Sequence, residues 1–392
     1  MHAVDSDERV RRWTETLSEE IGPRRPTSRA ERLASEWLRT ELAGAGVPAR
    51  LEEFPAYSTF ALPQGAILGL GLAPALVPRR LGTLRAGLAL LAPAIGALED
   101  DPRFRPLSRL AARSRSQNVV GVIEPDGEAR RTLCLVSHVD SSRSGWLFHP
   151  LVAPRLRGLL AATSAALAFQ AGEPLLARHS GGRALVAAAR SLLAAGLFLL
   201  AERELRGEDV PGANDNASGA ALTAALAAEV SAQPLSSTRV VLLVTGGEEA
   251  GTLGADAFVR RHDTEGWLFI NVDGVCARAT LRYLTYEGVM RTWRADGGLV
   301  AIAEELRSRR PELGLEPMEV SAGLTYDATP ILARGGRALT ISAQDGTIPN
   351  YHQPTDDLSN IDPDTLARAL EIVRELVAAI DCGDADPPPA GS

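Results

Sequence analysis

Seven side chains, spread over five short stretches, have the types needed for metal or acid–base chemistry. They are His138 and Asp140 in His138-Val139-Asp140, Asp215 in Gly212-Ala213-Asn214-Asp215-Asn216-Ala217-Ser218-Gly219, Glu248 and Glu249 in Gly247-Glu248-Glu249-Ala250-Gly251, Asp273 in Asn271-Val272-Asp273, and His352 in Tyr351-His352-Gln353-Pro354-Thr355-Asp356. Neutral imidazole with carboxylate is the ligand set of Zn²⁺ or a similar first-row metal. Carboxylates converging without a cation repel one another, so a pair of metal ions is the physical expectation for such a set. A carboxylate on a tight turn can bridge two metals roughly 3.5–4 Å apart. His-x-Asp suits a ligand followed by its orienter, the carboxylate holding the imidazole by its other nitrogen. Each stretch alone has a plainer reading. Asp215 could cap a helix, Glu248-Glu249 could open one, Asp273-Gly274 could be a turn, and either His could be structural. His2, His149, His179 and His262 lack such neighbours and read as surface or structural.

Apolar, β-branched runs lead into most of these residues. Strands are predicted over 118–124, 133–137, 239–245, 267–272 and 337–342, with a further one over 47–54. Helices are predicted over 8–21, 30–45, 218–230, 299–309 and 363–380, with Ser28 and Glu31 forming a capping box before the second. The alternation predicts an α/β fold, a mostly parallel mixed sheet flanked by helices. His138, Asp140, Glu248, Glu249 and Asp273 fall just past strand ends, the edge where open α/β sheets bind ligands.

Composition excludes several alternatives. The 392-residue chain has net charge −8 and no basic footprint for nucleic acid. All 41 basic side chains are Arg, so a phosphate loop with its Lys and a Schiff-base mechanism are both excluded. Cys134, Cys276 and Cys382 are too scattered for a disulfide framework, which fits a reducing compartment. The charged first residues lack the apolar core of a signal peptide. Residues 381–392 are expected to form a disordered tail.

Two regions stand apart. Residues 58–98 and 151–206 each read as an apolar helical hairpin inserted in the α/β domain of 8–380, turning at Pro78-Arg79-Arg80 and at Arg178–Arg183. Their uncharged runs lie between the length of a buried core helix and that of a membrane span. Membrane contact through these hairpins is one expectation; an apolar cap or dimerisation element on a soluble cytoplasmic enzyme is the other. The Arg-bearing turns favour the cytoplasmic side, which conflicts with the lack of a signal peptide and leaves orientation open. Oligomeric state is not legible.

Taken together and in this order, the five stretches resemble the metal-site motifs of the co-catalytic di-zinc aminopeptidases, the group of bacterial leucyl aminopeptidases, glutamate carboxypeptidase and the transferrin-receptor fold. Ile21-Gly22-Pro23-Arg24 and Leu324-Thr325-Tyr326-Asp327-Ala328-Thr329-Pro330 are similar to that family as well. The resemblance covers roughly 8–57, 115–150 and 208–380. It implies two Zn²⁺ ions, with Co²⁺ or Mn²⁺ able to replace one, bridged by Asp215. His138 and Asp273 complete one metal site, and Glu249 and His352 the other. Glu248 is then the general base that takes a proton from the bridging water, Asp140 the orienter of His138, and Tyr351 a candidate for holding the oxyanion. A cis peptide at Asp215-Asn216 is also implied.

Ala328 stands where many relatives carry a His, which puts the substrate pocket rather than the metal set in doubt. The activity implied is that of a zinc metallo-exopeptidase, foremost an aminopeptidase acting on peptides. A carboxypeptidase or an amidohydrolase of small amino-acid conjugates is the alternative, and an inactive membrane receptor-like scaffold a third. Arg291 and Arg294 are candidates for a substrate carboxylate but read first as surface residues.

Overall fold

The computed structural model describes residues 2–78, 80–176, 178–319 and 324–384. Ten strands are present among them: β1 (Ala49–Ala56), β2 (Ser114–Ile123), β3 (Arg131–His138), β4 (Thr238–Thr245), β5 (Leu268–Val272), β6 (Leu281–Leu284), β7 (Tyr286–Glu287), β8 (Trp293–Arg294), β9 (Leu315–Met318) and β10 (Arg337–Ala343). Eight form one sheet in the order β1-β2-β4-β3-β5-β10-β6-β9, and β7 and β8 form a small ribbon. The inner strands β4, β3, β5 and β10 are parallel, while β1 and β2 run antiparallel at one edge. The fold is therefore the expected mixed, mostly parallel α/β sheet. The short strands β6 to β9 carry no clear alternation and were not legible.

The helices are α1 (His2–Glu15), α2 (Arg29–Gly44), α3 (Ala61–Leu76), α4 (Gly82–Asp100), α5 (Pro106–Ala111), α6 (Leu156–Ala171), α7 (Glu173–Leu176), α8 (Ser180–Arg206), α9 (Gly219–Ala232), α10 (Leu253–Arg261), α11 (Gly297–Arg309), α12 (Ala328–Leu332) and α13 (Pro363–Cys382). α1, α2, α9, α11 and α13 bury Trp13, Leu38, Leu226, Leu299 and Val373 with one sheet face, and α10 and α12 bury Phe258 and Ile331 with the other. Ser28 caps α2 as expected, its hydroxyl accepting from Glu31 N–H at 3.1 Å. The reciprocal bond differs slightly: Glu31 accepts from Thr27 N–H, one residue before the cap. Of the expected tail, 381–382 end α13 and 385–392 lie outside the described residues.

The two apolar hairpins are not separate. α3, α4, α6 and α8 pack as one four-helix bundle around Ile67, Leu68, Ala92, Leu167 and Leu193. A Cβ on Gly71 would fall 2.5 Å from Leu167, so this glycine sets the close approach of α3 to α6. One polar cluster of the bundle is partly buried. Arg85 donates to both Glu173 oxygens at 2.6 and 2.7 Å, and Arg190 meets Glu173 at 2.8 Å. Outward positions are apolar, among them Leu62, Leu90, Leu91, Leu98 and Phe198. Among the described residues only Ser180–Arg206 is long and apolar enough to cross a membrane, its most apolar 18-residue window having a mean hydropathy of 2.0; Ala61–Leu76 is apolar but shorter.

The second insertion leaves and re-enters the α/β domain through a narrow neck. Ser144 N–H donates to Glu208 O at 2.8 Å, Val210 N–H donates to Ser142 O at 3.1 Å, and Arg143 Nη2 donates to Gly207 O at 2.7 Å.

Candidate metal centre

Parallel strands β3, β4 and β5 end side by side, and each delivers part of the site. His138 is the last residue of β3, paired with Thr245 at the end of β4. Glu248 and Glu249 follow β4 through a glycine turn, and Asp273 follows β5. The loop before α9 brings Asp215, and the loop after β10 brings His352. His138, Asp140, Asp215, Glu249, Asp273 and His352 are all buried.

Asp215 lies between two groups. Its Oδ1 is 3.2 Å from His138 Nε2, which is also 3.5 Å from Asp273 Oδ2. Its Oδ2 is 3.5 Å from His352 Nε2, which is also 3.0 Å from Glu249 Oε2. Ligand atoms of His138, Asp215 and Asp273 all lie within 4.8 Å of one another, as do those of Asp215, Glu249 and His352. The expected residues thus converge as two triads sharing one carboxylate. Asp215 does not cap α9. That bond comes from Asn216, whose Oδ1 accepts from Gly219 N–H at 3.0 Å. The Asp215-Asn216 peptide is cis.

The donor atoms fit a cation. His138 Nε2 and Glu249 Oε1 are buried without a hydrogen-bond partner among the described residues. An orphaned imidazole nitrogen aimed at carboxylates is a ligand geometry rather than a structural one. Charge points the same way. Burial alone pushes His138 down, but Asp273, Asp215 and Glu248 together hold it well above the usual imidazole value. His352 is treated likewise: burial lowers it, and Glu249 and Asp215 bring it to about 9. Burial, Asp327, Glu249 and Asp273 push Glu248 well above the usual carboxyl range, against the pull of His138. The cluster is rich in negative charge and stabilises any positive charge placed within it.

Asp140 departs from its expected geometry. His138 Nδ1 bonds the main-chain carbonyl of Asp140 at 3.0 Å, and the Asp140 carboxylate lies farther away at 3.8 Å. That carboxylate instead accepts from the N–H groups of Glu248 at 3.2 Å and Glu249 at 3.0 Å.

Several supporting residues carried no signal of role in the sequence. Asp356 accepts from Asn214 N–H at 2.8 Å and Asp215 N–H at 3.0 Å, holding the bridging loop from the other side of the site. Glu31 accepts from Gly247 N–H at 2.9 Å. Arg24 donates to the carbonyls of Val139, Pro211 and Gly212 at 2.7, 2.8 and 3.0 Å, tying two ligand loops together. Gly212 has φ +60°, and a Cβ there would fall 2.5 Å from Asp215 O, so the loop requires glycine. Asp327 is buried near Glu248, takes a bond from Thr245, and is raised to about 7 by burial and the charges of Asp140 and Asp273. Tyr351 stacks on His352 with ring centroids 3.8 Å apart. Arg291 pairs with Asp101 at 3.1 Å and lies over Trp293, so it is already engaged at the surface.

The model of peptidase family M28 matches residues 199–377. A search of curated protein sequences returns no significant match. The fold matches the zinc aminopeptidase BSAP from Bacillus subtilis at TM-score 0.58 and 14% identity, over 95% of this chain and 94% of that one. It matches the aminopeptidase from Aneurinibacillus sp. strain AM-1 at 0.58 and 16%, over 95% and 93%. Glutaminyl cyclase from Bacteroides thetaiotaomicron matches at 0.54 and 14%, over 95% and 97%.

Proposed function

We propose that this chain is a zinc metallo-exopeptidase, an aminopeptidase with two zinc ions, in which His138 and Asp273 hold one ion, Glu249 and His352 the other, and Asp215 both. The observation that carries this reading is the placement of the two Asp215 oxygens, each against a different histidine. Two complete triads distinguish it from a single-metal site. Zinc bound there polarises a scissile carbonyl and lowers the pKa of water toward neutrality. Glu248 is the general base: its raised affinity for protons suits a group that takes a proton from water and returns it to the leaving amine. Asp140 fixes the backbone on which Glu248 and Glu249 stand. Tyr351, whose ring stacks on His352, would donate to the oxyanion in this reading. The intact triads and the retained Glu248 argue against an inactive scaffold.

The test is hydrolysis of aminoacyl anilides and N-blocked dipeptides by the zinc-loaded protein. Cleavage of anilides with a free amine, lost on chelation and restored by Zn²⁺ or Co²⁺, is expected. Hydrolysis indifferent to chelator, or confined to N-blocked substrates, overturns the aminopeptidase reading.

We read residues 8–380 as one peptidase domain that the apolar regions 58–98 and 151–206 interrupt. We further infer that these regions attach the enzyme to a lipid bilayer. The support is the exposed apolar surface of the bundle: large apolar side chains face out on all four helices, while Arg85, Glu173 and Arg190 pair with one another and are partly buried. A soluble helix shows the reverse pattern. The turn at 178–183 joins α7 to α8 at the end of the bundle away from the neck, a position suited to lipid headgroups. Co-sedimentation with phosphatidylglycerol vesicles is expected; a monomer soluble without detergent that ignores vesicles overturns the inference, as does a soluble dimer closed through the bundle.

A further inference from the structure

The two histidines of the site are held in different ways. His138 has the usual arrangement for a metal-binding imidazole, with its remote nitrogen bonded to a carbonyl. His352 has no such bond: its Nδ1 is buried and has no hydrogen-bond partner among the described residues. Its backbone sits at φ +53°, a region that non-glycine residues enter only when their surroundings hold them. Rings surround the imidazole instead. Tyr351 stacks on it at an interplanar angle of 27°, and Phe148 meets it edge-on with centroids 4.2 Å apart at 73°.

Phe148 lies beyond the neck, on the short turn Trp146–Phe148 that leads into the second apolar region and α6. It is itself fixed from several sides. Its ring meets Tyr351 at 5.4 Å and Phe60 at 6.2 Å, and the Arg203 guanidinium lies 5.7 Å from its centroid. Its main-chain carbonyl accepts from the side chain of Gln353, the residue after His352. The insertion and the ligand loop are thus joined by both ring packing and a hydrogen bond.

We propose that Phe148 is a positioning residue for His352, its ring and that of Tyr351 setting the imidazole's rotation in place of a hydrogen-bonded orienter. The inference rests on the reading of His352 as a zinc ligand. Among the described residues its ring contacts are with Phe60, Tyr351 and His352, so the proposal concerns the metal position of His352. The insertion that builds the bundle therefore also completes the site.

The test is zinc stoichiometry and affinity, by titration against a chromophoric chelator, for wild type, Phe148→Ala, Phe148→Leu and Phe60→Ala. Loss of an orienting contact is expected to weaken one of the two sites roughly tenfold or more. Phe148→Ala should keep one tight zinc and lose the second on dialysis. Phe148→Leu, which keeps apolar volume without the ring, should fall between. Phe60→Ala, which removes a ring from the same apolar patch without touching His352, should bind both ions as wild type does. Equal affinities in Phe148→Ala and wild type overturn the proposal. So does parallel loss of both ions in Phe148→Ala and Phe60→Ala, which marks a general packing defect. Wild type that binds fewer than two zinc ions overturns the two-ion reading instead.

Discussion

The carboxylate of Asp140 receives the backbone N–H groups of both Glu248 and Glu249, while the Asp140 carbonyl receives His138. One residue thereby fixes a ligand, a second ligand and the proposed base, through three bonds to two loops. Asp140→Asn keeps the carbonyl and so keeps His138 oriented, but sets an amide against two N–H donors. It should lower kcat by roughly 10–100-fold with zinc at the His138 site retained. Steady-state kinetics with metal analysis checks this, and loss of the His138-site ion would contradict it.

Glu248→Gln removes the base and leaves both triads whole. A fall in kcat of roughly 10²–10⁴-fold is expected, with two zinc ions still bound and KM little changed. A variant that turns over normally would remove Glu248 from the mechanism.

Asp215→Ala should cost both ions, because each triad loses its shared oxygen donor. His138→Ala and His352→Ala should each cost one. Zinc content of the three purified variants decides between a shared and an unshared carboxylate.

Glu287 supplies a pH signature outside the metal site. It is buried, accepts from Thr329 and Thr340, and burial raises it to about 7. Its folded value lies above the ordinary 4.5, so the native state holds the proton more tightly. Its contribution is complete below about pH 4.5 and is lost as pH rises through 7, a swing on the order of 3 kcal/mol at most. Wild-type protein without metal should lose stability between pH 5 and 8 relative to Glu287→Gln. Parallel melting curves for the two would sink the assignment.

The candidate metal ligands stood out in the sequence because each sits at a strand end or on a tight turn, where sequence order predicts exposure to one sheet edge. Their partners were not. Asp356 lies four residues after a motif histidine and looks like a loop acid, yet it supports Asp215 from 141 positions away. Glu31 looked like a helix cap and is one, but the same carboxylate reaches the loop of Glu248. Asp140 lies beside His138, but its carbonyl and not its carboxylate is the acceptor, because a two-residue spacing does not say whether side chain or carbonyl lies nearer the ring. The hairpins were visible as uncharged runs. That they close on each other followed only from contacts between segments more than sixty residues apart, such as Gly71 with Leu167.

The neck at Ser142–Ser144 and Gly207–Val210 has one more implication. The insertion is clasped at its root by short main-chain bonds, a few residues from Asp140 on one side and Asp215 on the other. Lengthening or shortening of the helices beyond that clasp is absorbed there, and the ligand loops keep their spacing. A lineage could therefore resize the bundle freely while the chemistry stays in register, as long as the turn that carries Phe148 is kept.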